Sequence, residues 1–523
     1  MSTDNYPRRV HDQKHVVESL LFPDAALAAV ESPLMGRTLP GINKRSFLAA
    51  VACLTQGWFV ARQDRGDLTV AELFRMEQGL EAGRRARALW PHGVLIKSVD
   101  LDAAAAETQR LMSTPTISAI FEATFRIAGY TAKADILIRA GGGWRLLEVK
   151  SSLHDDEGAK GEHLDDLAYT SMVLLRSGVK LASAELMLLN RDYRLGQPDS
   201  NLFIASDHTA AVMQTVAETD CLWNSIRLAV TSAKCPKPTP IFECRHCDFF
   251  ASDCLGKGIT HSIFELPRLS ERKFQGLCDL NTLTIAAIPV SFDLTENQRR
   301  VANVIQSGKP WCDQSALSTL LQSVRWPCYY LDFETVMTAI PLWSDIAPHE
   351  QIVTQYSIHV CKKPGKTIAH REYLANHTRD CRRELAERLI QDLGEVGSII
   401  SYSQFEKTQI NGLAKRFPDL APALKKCVGR LFDLEKVFIQ AFCHPDFCGR
   451  TSIKVTLPAL VPDMTYKGLP ISDGDCALAS FAKMASGKCT QAEINQIRAD
   501  LLAYCKQDTL AMVRLHERVW QMV

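Results

Sequence analysis

The sequence predicts an α/β protein with two principal domains, each built around strands that carry acids. Three observations support this. Residues 329–335 alternate in the manner of a strand, which puts Asp332 and Glu334 on one face. Two β-type runs flank Gly141-Gly142-Gly143, with Asp135 on the first and Glu148 and Lys150 on the second, and so read as a hairpin. Cys244 and Cys247, with Cys254 beyond them, have the spacing of a loop wrapped around one metal centre.

The 523 residues suggest two or three domains. The net charge of +1 does not announce a nucleic-acid partner, so any basic groove must be local. No apolar run is long enough to cross a bilayer, and residues 1–14 lack the apolar core of a signal peptide. A cytoplasmic location and no membrane partner are expected. The 17 cysteines fit a reducing compartment, most of them as small buried apolar residues.

Residues 1–35 form an extension with one helical candidate at 16–30. Residues 39–54 read as a turn and then an apolar helix carrying Cys53. A helix is expected over 72–91, with Arg84, Arg85 and Arg87 near its end. Strands follow at 121–127, 132–138 and 144–150. On the last, Glu148 and Lys150 share a face that Asp135 can reach from the neighbouring strand. Two acids there would bind a metal that polarises a scissile phosphate and lowers the pKa of its water. The lysine would add a fixed positive charge for the transition state. A surface salt-bridge pair on a hairpin is the plainer alternative.

The Asp135…Glu148-x-Lys150 pattern resembles the PD-(D/E)xK nuclease fold, and its RecB-like members in particular. The resemblance implies a tyrosine on the following helix, for which Tyr169 stands, with Asp166 or Thr170 in place of the usual glutamine. Glu122 could serve as a third acid and metal ligand. The family's histidine on the early helix has no match in residues 77–84.

One cysteine before such a core and three after it resembles the iron–sulfur nucleases, namely the CRISPR-associated RecB-like exonucleases and the nuclease domain of AddB. That implies a 4Fe–4S cluster on Cys53, Cys244, Cys247 and Cys254. Zn²⁺ held by Cys235 and the last three, or ordinary reduced thiols, are the alternatives.

Residues 261–322 read as a helical linker. The stretch 264–285 has a helix-hairpin-helix cadence but lacks the glycine hairpin that would grip DNA, so it reads as a spacer. In the last domain, a helix containing Tyr504 and Asp508 is announced upstream by the capping box Thr490-Gln491-Ala492-Glu493. A strand Asp-x-Glu with a late helical Tyr-x-x-x-Asp resembles the DnaQ-like 3′–5′ exonucleases of the DEDDy type, whose fold is RNase H-like. The resemblance implies two Mg²⁺ or Mn²⁺ ions on Asp332, Glu334 and Asp508, with Tyr504 orienting the attacking water. Glu406 stands where an aspartate is usual, and Ser403 where asparagine is common. Asp433 is either a fallback ligand or a helix N-terminal acid. Lys454 either contacts phosphate or is simply solvated.

The domain plan is therefore an extension (1–35), a RecB-like iron–sulfur nuclease domain (36–260), a helical linker (261–322) and a DnaQ-like exonuclease domain (323–523). The whole resembles a bacterial family that fuses these two nucleases. It implies a metal-dependent deoxyribonuclease with two active sites, exonucleolytic on single strands or ends, in DNA repair or anti-phage defence. The alternatives are a nucleic-acid-binding protein with one or both sites inactive, or an RNA-processing exonuclease.

Overall fold

The computed structural model describes residues 40–63, 66 and 68–523, and the helix expected at 16–30 lies outside them. The described chain is mixed α/β and forms two compact units. Unit one takes the described residues before 67 with Met76–Phe249 and Ala347–His349; unit two takes Leu68–Arg75, Phe250–Ile346 and Glu350–Val523.

Unit one opens with α1 (Lys44–Ala52) and α2 (Leu54–Arg62). Asn43 and Ser46 cap α1 reciprocally, each side chain accepting the other's backbone N–H. The single helix expected through Cys53 is thus two helices. Extended backbone at Cys53 (φ −158°, ψ 118°) breaks the run, and α2 packs back on α1. Gly57 permits the approach, because a Cβ there would sit 2.3 Å from that of Ala50. Next comes α3 (Val70–Ala88), which belongs to this unit from Met76 on.

A six-stranded sheet follows in chain order: β1 (Val94–Leu95), β2 (Ala119–Ile127), β3 (Tyr130–Ala140), β4 (Gly143–Leu153), β5 (Leu181–Leu189) and β6 (Phe203–Asp207). Strands β2, β3 and β4 pair antiparallel, and β4 and β5 pair parallel. Gly141 and Gly142, both at positive φ, make the turn of the β3–β4 hairpin, as their spacing predicts. Helix α4 (Leu101–Met112) precedes β2, and α5 (Gly161–Arg176) makes the crossover from β4 to β5. The apolar face of α5 (Leu167, Met172, Val173) packs in one core with Ile120, Leu137, Leu146 and Leu186 of the sheet. Helices α6 (Thr209–Asp220) and α7 (Trp223–Thr231) follow, and Trp223 stacks on Tyr130.

In unit two, the stretch expected as a helical linker forms α8 (Glu271–Asp279), α9 (Glu296–Ser307) and α10 (Gln314–Gln322). The short strand β7 (Trp311–Cys312) lies between α9 and α10. The main sheet has β8 (Cys328–Val336), β9 (Ile352–Cys361), β10 (Thr367–Leu374), β11 (Ser398–Ser401) and β12 (Leu431–Asp433), in the order β10-β9-β8-β11-β12. Strands β8, β9 and β10 form an antiparallel meander, whereas β8, β11 and β12 run parallel. Helix α11 (Arg382–Leu393) precedes β11, and α12 (Phe405–Arg416) and α13 (Ala421–Val428) lead from it to β12. After α14 (Glu435–Gln440) and β13 (Phe442–Cys443), which pairs with β7, come α15 (Ile453–Leu460), α16 (Gly474–Ala485) and the 30-residue α17 (Gln491–Trp520). The capping box read from the sequence starts α17, with Thr490 and Glu493 as its members.

Among the described residues no helix is long and apolar enough to cross a membrane.

Candidate active sites

The position of the unit-two site follows from strand order. Parallel neighbours β8 and β11 send the chain in opposite directions, β8 to β9 and β11 to β12. Such a switch leaves a crevice beyond the carboxyl ends of the two strands. Asp332 and Glu334 lie in the second half of β8, opposite Ser357 and Gln355 of β9. Glu406 lies in the first turn of α12, just after β11. Helix α17 lies over the sheet: Gln355 donates to the Leu501 carbonyl (2.9 Å), and the Cys505 thiol donates to Asp332 Oδ2 (3.6 Å). The four-residue spacing then puts Tyr504 and Asp508 on the same buried face.

The result is a group of four carboxylates: Asp332, Glu334, Glu406 and Asp508. The last three are buried. Ligand atoms of Asp332, Glu334 and Cys505 lie within 4.8 Å of one another. Burial and the neighbouring carboxylates, Asp508 first, hold Asp332 and Glu334 well above the usual carboxylate range. Burial, with Asp433 and Asp508 near, pushes Glu406 up to about 8. Burial also raises Asp508, to about 6, although Tyr466 and Tyr504 draw it down with hydrogen bonds. The Tyr466 hydroxyl lies 2.5 Å from Asp508 Oδ1. Lys454, at the start of α15, counters Glu334 and Asp508 and donates to the Ser472 carbonyl.

The residues fit a site for hard divalent cations. Glu406 Oε2 is buried and accepts no hydrogen bond among the described residues. So many carboxylates raised together are held apart from their preferred charge until a cation joins them. Asp433 is not part of this group. Its oxygens accept from the N–H of Ser403 (2.9 Å) and of Glu435 (3.1 Å) and from the Gln404 amide, so it acts as the turn and helix-start acid.

In unit one, Ile136 pairs with Leu147 across the hairpin, which places Asp135 beside Glu148. Asp135 Oδ2 accepts the Val149 N–H at 2.8 Å. Glu148 is 2% exposed. Its Oε1 accepts from Lys150 (3.1 Å) and from Lys44 (2.5 Å), the first residue of α1. Burial alone would raise the Glu148 carboxyl, but the two lysines hold it below its usual value. The Val149 N–H and Lys44 draw Asp135 down, but burial first and then Glu148 outweigh them and push it up to about 8. Lys150 also pairs with Asp166 on α5, and Lys44 lies 3.7 Å from the same carboxylate. Glu148 Oε2 accepts no hydrogen bond among the described residues.

Glu122 falls in β2 between the pairs Phe121–Ile136 and Ala123–Ala134, which keep one register and so place it opposite Asp135, and its φ is +55°. It adds to the raised pKa of Asp135 and lies 3.5 Å from Arg87. Tyr169 is committed elsewhere: its buried hydroxyl donates to the carbonyls of Thr131 (2.8 Å) and Ile42 (3.3 Å). It fastens α5 to β3 and to the chain entry.

Helix α2 is fastened to the far end of unit one. Thr55 donates to the Pro236 carbonyl, and Trp58 and Arg62 donate to that of Ser232. Phe59 stacks on Phe249 at 5.0 Å. The Cys235 thiol is raised by burial first, and Cys53, at the head of α2, adds to that rise. Cys244 lies in the short helical turn Phe242–His246, and Cys247 caps that turn. Cys254 follows the helical turn Phe249–Ser252 and belongs to unit two.

Sequence reasoning missed Lys44, Tyr466 and Cys505 as members of the two groups. Lys44 lies about a hundred residues before Glu148, and only the Asn43 cap marks its placement.

A family model described as a domain of unknown function, DUF2779, matches residues 329–452. That span holds Asp332, Glu334 and Glu406 and ends before Tyr504 and Asp508. The uncharacterized protein MG366 of Mycoplasma genitalium is 25% identical over 205 residues, which are 36% of this chain and 31% of that protein. This chain thus spans about a third of that relative's length. Among solved structures, the alkaline exonuclease LHK-Exo of Laribacter hongkongensis matches with a TM-score of 0.22 and 12% identity, over 37% of this chain and 90% of that one. Its complex with dAMP matches at 0.21 and 14%, with the same coverage. SSO0001 matches at 0.15 and 14%, over 38% of this chain and 93% of that one.

Proposed function

We propose that this chain is a metal-dependent nuclease that hydrolyses phosphodiester bonds in DNA, with its main active site in unit two. The observation that carries the reading is the group Asp332, Glu334, Glu406 and Asp508, the last three buried, with two tyrosines at Asp508 and one lysine as counter-charge. These four carboxylates would hold two Mg²⁺ or Mn²⁺ ions. Such a pair, when bound, supplies the charge that activates water on one side of the phosphorus and stabilises the leaving oxygen on the other. Tyr504 would position the attacking water, Tyr466 fixes Asp508, and Lys454 would meet a phosphate oxygen. The DnaQ-like, RNase H-like reading of this unit rests on the same residues.

Unit one supplies a second site in the same proposal. Asp135, Glu148 and Glu122 would hold a metal, and Lys150 would stabilise charge on the phosphate. A specific observation favours another reading of this unit: Lys44 and Lys150 already neutralise Glu148. A site balanced in that way would bind a phosphate backbone without turning it over. The cysteine staple belongs to the proposal as well, a 4Fe–4S cluster on Cys53, Cys244, Cys247 and Cys254, or Zn²⁺ with Cys235. It is supported by the fastening of α2 to residues 232–249.

The test is digestion of end-labelled single- and double-stranded DNA and RNA with Mn²⁺, using wild type, Asp332→Ala and Glu148→Ala. Loss of one activity in Asp332→Ala and of another in Glu148→Ala supports two active sites. Loss only in Asp332→Ala leaves unit one as a binding element. Undiminished cleavage by the double variant would sink the assignment, and preferential cleavage of RNA would move the substrate class.

A further inference from the structure

Unit two contains a second group of metal-ligating side chains, remote in sequence from the four carboxylates. His261 lies just before a short helical turn (Ile263–Glu265) whose last residue is Glu265, and Cys448 caps another (Pro445–Phe447). His261 Nδ1 lies 2.8 Å from Glu265 Oε2 and 4.0 Å from Cys448 Sγ. Ligand atoms of all three lie within 4.8 Å of one another. His261 and Glu265 are about three-quarters buried, with side chains 28% and 25% exposed.

The backbone holds this triad in place from both sides. His261 (φ +57°) and Cys448 (φ +48°) both adopt the left-handed conformation, which is strained for a residue other than glycine. Residues 261 and 262 are tied to the chain at 284–285 by the Ile285 N–H to His261 carbonyl bond and the Ser262–Thr284 bridge. Gly449, next to Cys448, comes so close that a Cβ there would lie 1.8 Å from the Glu265 carbonyl oxygen. Cys448 is thus pressed against the 261–265 turn.

We infer that His261, Glu265 and Cys448 form a binding site for a borderline-soft divalent transition metal of the Zn²⁺ class. One sulfur, one nitrogen and one oxygen donor suit such an ion and not Mg²⁺, which wants oxygen alone. The distances are near those required. A tetrahedral zinc site puts sulfur and nitrogen ligands about 3.6 Å apart, and nitrogen and oxygen ligands about 3.3 Å apart. Shifts of roughly half an ångström from 4.0 and 2.8 Å would suffice. On binding, the Cys448 thiol gives its proton to solvent and the His261–Glu265 hydrogen bond opens. The three side chains leave one of four positions for water or a further ligand. The site pins the 261–265 turn to the chain at 448 within unit two. It is independent of the nuclease reading.

The test is anaerobic cobalt(II) and zinc titration of the full chain against a chromogenic chelator, in wild type, Cys448→Ser, His261→Ala, Glu265→Gln and Cys53→Ser. The expected result is one zinc equivalent weakened by about tenfold to a hundredfold or more in each of the first three variants. Cys53→Ser retains that equivalent. The matching thiolate-to-cobalt absorption disappears in Cys448→Ser and persists in Cys53→Ser. Zinc raises the melting temperature of wild type more than that of Glu265→Gln, the variant that best keeps the shape of the turn. Unchanged zinc stoichiometry and affinity in Cys448→Ser and Glu265→Gln would overturn the inference.

Discussion

Replacing Glu406 by glutamine tests the physics of the unit-two site without relying on catalysis. Glu406 is 2% exposed, and burial pushes its carboxyl from 4.5 to about 8. The folded chain therefore binds a proton more tightly than the unfolded chain. Stability tied to this group is fully present below about pH 4.5 and is lost as pH rises to about 8. At about 1.36 kcal/mol per pH unit, the ceiling is on the order of 5 kcal/mol. Glutamine keeps the shape and drops the charge, at a cost of about 1–3 kcal/mol for a buried amide without full hydrogen bonding. In EDTA, Glu406→Gln should be slightly less stable than wild type near pH 5 and more stable near pH 8, by roughly 2–4 kcal/mol. Urea denaturation followed by circular dichroism at pH 5, 6.5 and 8 measures this directly. Adding Mn²⁺ at pH 8 should reverse the order, because the ion stabilises wild type more strongly. A difference between the two proteins that does not change with pH, or equal stabilisation of both by Mn²⁺, would refute the reasoning.

Two further outcomes are expected. Tyr169→Phe removes a hydroxyl that serves the Thr131 and Ile42 carbonyls. It should cost about 1–2 kcal/mol in denaturant unfolding while the nuclease rate per folded molecule stays at the wild-type value; a hundredfold loss of rate would restore the residue to the chemistry. Cys53→Ser should give anaerobically purified protein without iron or brown colour and with a lower unfolding temperature, because cluster binding and folding are linked. Iron content equal to wild type would remove Cys53 from the ligand set.

What the sequence discloses here depends on how local the determining physics is. The hairpin was legible because glycine at positive φ is a short-range requirement and Asp135 and Glu148 are only 13 residues apart. The Asp332–Glu334 face and the Tyr504–Asp508 face followed from strand and helix periods alone. The break at Cys53 was not legible, because an apolar helical pattern does not record the tertiary packing of α2 on α1 that Gly57 permits. The positive φ at Glu122 was hidden too, since alternation predicts faces and not backbone dihedrals. Tyr169 has a further lesson. A tyrosine at the right place in a motif competes with the demand that buried carbonyls be satisfied, and here the carbonyls hold it. The same demand explains Asp433, whose oxygens are used by the turn beside Glu406. Of the acids singled out near that crevice, Glu406 is the one left with a buried and unpartnered oxygen. That makes it the better candidate ligand, although it is one methylene longer than the aspartate usual at its position. The longer side chain reaches inward from the first turn of α12, where Asp433 is held back by its own backbone bonds.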